Sequence, residues 1–243
     1  MPRTGTTVVE RILTNHNDVI TLGERFQFSA ALKQQCQLQG KKNYANMIDA
    51  KILDECWSTI DFEKLGHDYI QSVSYLSNNN QRFVDKLPLN ILMAGVILRS
   101  LPQAKIVCLL RDPLDTIIGN YRQVLEQKSG TYAYTLDLHA TANFVFEFRQ
   151  LVTNLQKQFP TRFMIVNYET LVAKPERQAK KIFEFCQLSW HGDYLDIHKN
   201  KAPIGTASAA QVQEPIHQKS LGHSRHYMFC LEEIKKAFNA STE

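Results

Sequence analysis

The chain has 243 residues, 28 Lys and Arg against 24 Asp and Glu, and 44% apolar residues. That apolar share, with only 21% charged residues, excludes intrinsic disorder and supplies a core for one large domain or two small ones. The longest apolar run, Ile91 to Leu98, is far short of the about 20 residues a membrane-spanning helix needs, and a net charge of +4 is too small to imply nucleic-acid binding.

No repeat, low-complexity tract or Pro/Gly/Ser linker divides the chain, and Glu10 and Arg11 interrupt the only apolar start a secretory leader could use. The cysteines Cys36, Cys56, Cys108, Cys186 and Cys230 are scattered, odd in number and form no CxxC pair. They read as free thiols, which suits a reducing, cytoplasmic compartment.

In chain order, Pro2-Arg3-Thr4-Gly5-Thr6-Thr7 is a glycine turn feeding a helical run from Val8 to Leu13. Such a turn aims backbone N–H groups at one point, where the helix dipole also favours an anion; the threonines add hydroxyl donors and Arg3 a guanidinium fork. It is not a Walker A loop, because no lysine follows Gly5. Val19 to Leu22 and Arg82 to Lys86 are short strands, and Pro88 to Ser100 is a helix opening on proline. Lys105 to Leu110 is a near-continuous apolar strand of the kind buried on both faces. Asp112-Pro113 then reads as N-cap and first helical proline of a helix to about Glu126. Asp137 to Phe159 places Phe144, Phe148, Leu151 and Leu155 at three- and four-residue spacings, and the series Phe144, Phe146 and Phe148 reads as core packing of this long helix. A strand from Arg162 to Asn167 and a helix from Pro175 to Leu188 follow. From His198 to His226 the periodicity fades into a long loop with short helical turns, holding Lys199, Lys201, Lys219, Arg225 and four of the eight histidines against one acid, Glu214.

Short strands alternating with helices predict an α/β domain with a parallel sheet. Arg111 stands at the carboxyl end of the strongest strand, where open α/β sheets bind ligands, and Lys86 has the same relation to its strand. His223, His226 and Cys230 have ligand-like spacing but are too mixed for a zinc site, so no metal is expected, and His16 reads as a capping or solvated histidine.

PRTGTT at the amino end, a strand followed by Arg111-Asp112-Pro113-Leu114-Asp115, and the late basic loop together resemble the sulfotransferases that use 3′-phosphoadenylyl sulfate (PAPS). The likeness is greatest to bacterial sulfotransferase domains, often linked to tetratricopeptide repeats, that are related to protein-tyrosine sulfotransferases. It extends over nearly the whole chain, through Asn167-Tyr168-Glu169-Thr170-Leu171-Val172 and Pro175 to Asn200-Lys201, Thr206-Ala207-Ser208 and Ser220-Leu221-Gly222. The resemblance implies a single three-layer, P-loop NTPase-like domain over residues 1–243, with a central parallel sheet and a donor-covering loop at 198–226. It implies PAPS as donor, an acceptor hydroxyl on a peptide tyrosine, a carbohydrate or a small metabolite, and no metal. Arg3, Thr4, Gly5, Thr6 and Thr7 would hold the 5′-phosphosulfate, Arg111 the 3′-phosphate, and Tyr168 and Ser208 would lie along the nucleotide. Glu24 would be the general base, with Lys86 and Arg3 at the transferring group, since an attacking hydroxyl must lose a proton and a departing phosphate needs cations.

Three departures bear on activity. Gly119 stands where relatives usually have a serine that helps hold the 3′-phosphate, a loss that Asn120 or Arg122 would have to make good. His223-Ser224 replaces a cation followed by tryptophan, and histidine carries a full charge only below about pH 6.5. The chain begins at Met1 without the apolar strand that relatives carry before the loop, so the domain is expected to lack its first strand through amino-terminal truncation. These departures favour, as the rival reading, an inactive nucleotide-binding remnant of the same fold. A P-loop kinase is disfavoured by the missing GK[ST].

Overall fold

The computed structural model describes residues 1–36, 50–76, 82–123, 131–200 and 213–240. In chain order these form α1 (Thr6–Thr14), β1 (Val19–Gly23), α2 (Gln27–Gln35), α3 (Ala50–Cys56), α4 (Phe62–Val73), β2 (Arg82–Asp85), α5 (Ala94–Ser100), β3 (Ile106–Leu110), α6 (Pro113–Tyr121), α7 (Leu138–Gln158), β4 (Phe163–Asn167), α8 (Tyr168–Ala173), α9 (Pro175–Phe185) and α10 (Met228–Ala240). The caps follow local chemistry. The Asp112 side chain accepts from the Asp115 N–H ahead of Pro113, and Asp137 accepts from the Ala140 N–H. The helix read from Pro88 starts as a tighter 3-10 stretch, Pro88–Met93, before α5. There the Asn90 amide turns back to donate to Asp85, a local bond of the kind that competes with regular helix. α6 ends at Tyr121 with Arg122 as its cap, short of the expected Glu126, and residues 124–126 lie outside the described residues.

The strands pair in parallel as two ladders, β1 with β2 and β3 with β4. Each ladder is covered on both faces, as the apolar runs require. On β3 and β4, Cys108 and Phe163 face a cluster with Ile117, Phe148, Val152 and Leu231, while Leu109 and Val166 face Val9, Ile12, Ile182 and Phe183. Val19 of β1 and Val84 of β2 join that second cluster, so α1 packs across both ladders. The far side of β1 and β2 meets α2, α4 and α5 through Leu22, Phe28, Leu65, Tyr69 and Val96. There Gly66 lets α4 touch the end of α5, since a Cβ on it would lie 2.0 Å from the Ser100 carbonyl oxygen. Among the described residues, no helix is long and apolar enough to cross a membrane.

The reading of the cysteines is corrected. Cys36, just after α2, and Cys56, at the end of α3, form a disulfide with their Cα atoms 5.5 Å apart. The packing of helices that bring these thiols together leaves no mark in cysteine spacing, and with the pair formed, free thiols no longer argue for a reducing compartment. Cys108, Cys186 and Cys230 are free. Thiol titration of protein unfolded without reductant is therefore expected to find three reactive groups; five would show that the bond does not form.

Candidate active site

The turn before α1 is held in an unusual backbone conformation. Arg3 has φ 62° and Gly5 φ 94°, and Gly5 serves as the left-handed cap of α1. Glycine is required at this cap for a second reason: a Cβ on it would lie 2.4 Å from Cδ2 of the Tyr168 ring. The turn is tied down by the Thr4 hydroxyl donating to the Met1 carbonyl at 2.8 Å and by the Asn120 amide donating to the Pro2 carbonyl at 3.0 Å. Thr4 is thus a buried anchor. Beside the turn lies an open cleft lined by Arg3, Gly5, Thr7, Arg111, Tyr168, His217 and others.

Arg111, at the end of β3, crosses this cleft. Its guanidinium donates to the Arg3 carbonyl at 3.3 Å, to Asp115 Oδ2 at 3.0 Å and to the Ser220 carbonyl, and it stacks 5.0 Å from the centre of the Tyr168 ring. Its Nε is buried with no hydrogen-bond partner among the described residues. The Tyr168 hydroxyl hydrogen-bonds the Ser220 hydroxyl at 2.8 Å, so the late loop closes over both side chains. Asp115 anchors the same loop by accepting from the N–H groups of Gly222 and Ser224, both at 2.8 Å. Burial would raise the Asp115 carboxyl, but the Ser224 and Gly222 hydrogen bonds and the Arg111 charge outweigh it and hold the group below its ordinary value. Burial, and then the nearby Arg111 charge, lower the Arg3 guanidinium from its ordinary value. Two cations drawn together out of water make a site that favours anions.

Glu24 and Lys86 form a second group, around the turn after β1. Lys86 Nζ donates to Glu24 Oε1 at 2.5 Å and lies 3.8 Å from Oε2 of Glu10, a residue of α1. α1 therefore serves both groups, with Thr7 lining the cleft and Glu10 facing Lys86. Sequence reasoning passed over Glu10, Asp115 and His217. A signal for Asp115 was its spacing of four from Arg111 on a helix start, a usual ion-pair separation.

The remaining site residues divide clearly. Ser208 lies outside the described residues, and Thr6 is half-buried at the start of α1. Gly119 backs onto Arg3, where an added Cβ would lie 3.3 Å from the arginine Cβ. Asn120 is fully buried, donating to Pro2 and Thr116 and accepting from the Tyr134 hydroxyl, while Arg122 stacks on Tyr227. Both side chains are thus committed elsewhere. His16 has both ring nitrogens engaged, one with the Ser189 hydroxyl and one with the Asp18 N–H. His223 is exposed and hydrogen-bonds the Lys219 carbonyl.

Beside Lys86, Asp85 turns to the opposite side, accepting from the Tyr69 hydroxyl at 2.8 Å and the Asn90 amide at 3.1 Å. Burial pushes its carboxyl up to about 6, because those bonds, the Leu87 N–H and the Arg25 charge only partly offset the loss of water. A carboxyl raised on folding binds its proton more tightly in the folded state, so stability is greatest below the unfolded value of about 3.9 and falls as pH rises through about 6. Urea unfolding of the wild type is expected to lose up to roughly 3 kcal/mol from this group between pH 4 and pH 7.5. In Asp85→Asn this component should vanish; an unchanged pH profile would remove Asp85 as its source.

The model described as "Sulfotransferase family" matches residues 1–192. An uncharacterized protein of Aquifex aeolicus is 32% identical over 235 residues, 93% of this chain and 30% of its own length. A protein-tyrosine sulfotransferase of Drosophila melanogaster is 23% identical over 91% of this chain and 45% of its own. The chain thus spans less than half the length of these two relatives. In fold, it is similar to the sulfotransferase domain of the Synechococcus PCC 7002 olefin synthase, with TM-score 0.61 at 17% identity over 92% of this chain and 84% of that domain.

Proposed function

Since the chain belongs to the sulfotransferase family, we propose that it transfers a sulfuryl group from PAPS to an acceptor hydroxyl. The observation that carries this reading is the pairing of Arg3 and Arg111 at one cleft beside the N-terminus of α1, where Arg111 Nε has no hydrogen-bond partner among the described residues. Those features suit a ligand with two separated anionic groups. Arg111 takes the 3′-phosphate, the Arg3–Thr7 turn takes the 5′-phosphosulfate, and Tyr168 lies along the nucleotide. Ser208 is assigned to the same surface on the family resemblance. The domain is taken as one P-loop-like, three-layer unit, and the stretch ending at His226 covers the donor.

In the transfer step the Glu24 carboxylate takes the acceptor's proton as the acceptor oxygen forms a bond to sulfur. The bond between sulfur and the bridging oxygen breaks, and its electron pair leaves on the phosphate of 3′,5′-ADP. Arg3 and Lys86 stabilise the charge that builds there. The Lys86–Glu24 ion pair sets the ammonium beside the carboxylate that takes the proton. The protein-tyrosine sulfotransferase relative makes a tyrosine-containing peptide the first acceptor to try.

Calorimetry is expected to find that 3′,5′-ADP binds roughly ten- to a hundredfold more tightly than 5′-AMP. This is the effect of one charge-assisted contact of about 1.5–3 kcal/mol. Arg111→Met should erase the difference, and equal affinities in the wild type would remove Arg111 from its role. Glu24→Gln is expected to keep 3′,5′-ADP affinity while lowering turnover of labelled donor by about 10²–10⁴. Full turnover in that variant would assign the proton to another group.

A further inference from the structure

We propose that Glu10 is a positioning residue that fixes Lys86 and the turn carrying Glu24 in one relation. Its catalytic meaning rests on the sulfuryl-transfer reading above; the linkage itself rests on geometry. Glu10 projects from α1 with its side chain 8% exposed, and Lys86 is equally buried. A carboxylate and an ammonium so far out of water persist only when each is compensated. Both Glu10 oxygens are engaged: Oε2 lies 3.8 Å from Lys86 Nζ, and Oε1 accepts from the Thr21 hydroxyl at 2.5 Å. The Thr21 oxygen in turn accepts from the Gly23 N–H at 2.9 Å, and the Gly23 carbonyl accepts from the Lys86 N–H at 2.9 Å. The contacts close a circuit from Glu10 through Thr21 and Gly23 to Lys86 and back. Glu24 hangs from its Gly23 corner.

The two carboxylates on Lys86 are not equivalent. Glu24 is 32% exposed, so an acceptor can reach it, whereas Glu10 is shut away. When Glu24 takes a proton it ceases to balance the lysine. Without Glu10 the ammonium would then be buried with no counter-charge. With Glu10 in place the lysine stays paired throughout, and the Thr21 bond keeps the base-bearing turn from drifting.

The experiment compares wild type, Glu10→Gln, Glu10→Asp, Thr21→Val, Lys86→Met and the Glu10→Gln/Lys86→Met double variant. Labelled PAPS is the donor, and a tyrosine-containing peptide and 2-naphthol are the probe acceptors. Glu10→Gln is expected to lower kcat about tenfold or more, with 3′,5′-ADP affinity and donor KM within about twofold. Glu10→Asp should recover part of the loss, and Glu10→Gln should cost little more once Lys86 is gone. Losses that multiply as independent effects, or wild-type kcat in Glu10→Gln, overturn the proposal. A second arm needs no activity: brief acetic anhydride labelling, read by mass spectrometry, reports the reactivity of each lysine. Glu10→Gln and Thr21→Val are expected to raise labelling at Lys86 severalfold relative to the other lysines. Unchanged Lys86 labelling, or a rise shared by all lysines, overturns the linkage. A wild type that neither binds 3′,5′-ADP nor consumes donor defeats the sulfuryl-transfer reading and the catalytic part of this one, and the labelling then decides the linkage alone.

Discussion

Two guanidinium groups brought together out of water repel one another, and the organisation of the cleft follows from how that repulsion is offset. Arg111 is paired with the buried Asp115 carboxylate at 3.0 Å, but not with it alone. It is shared among Asp115, two backbone carbonyls and the face of Tyr168, each of which compensates part of its charge. Arg3 gives its own carbonyl to Arg111, so the repelling partner also helps to hold it. Compensation of this kind lets both guanidinium groups line the cleft without being fully exposed to water.

The backbone around the arginines is built for the same end. The turn at Arg3 and Gly5 adopts left-handed conformations that cost energy outside glycine, and buried side chains hold it in place. Thr4, Asn120 and the Tyr168 ring supply that support from three different parts of the chain. α1 then carries the consequences along its length, from Thr7 at the cleft to Glu10 beside Lys86.

What the sequence made legible was what depends on neighbours in the chain. The glycine turn before α1, the Asp112-Pro113 cap, the buried β3 strand and the position of Arg111 at its end all follow from local rules. Residues whose role is set by distant partners were not legible. Glu10 on an amphipathic helix looks like a solvated acid, because its lysine lies far along the chain, just after β2. Asp115 reads as an ordinary first-turn acid, because the N–H groups it accepts from lie more than a hundred residues later. α4 was missed although Leu65, Tyr69 and Val73 share a face. Gly66 reads as a breaker in sequence, and only the close approach of Ser100 shows why it is there. Cys36 and Cys56 hid their pairing in the same way.

The loop around Ser220 competes with any anion for the same arginine. Its carbonyl takes one Arg111 nitrogen, while Asp115 grips both that nitrogen and the loop's own N–H groups. A ligand that draws Arg111 toward itself therefore weakens one of the loop's tethers while leaving the Asp115 tethers intact. By reciprocity, a loop that is fully latched makes Arg111 a poorer partner for the ligand. The bonds from Asp115 to the Gly222 and Ser224 N–H groups involve no Arg111 atom, so they hold the loop wherever that guanidinium is drawn.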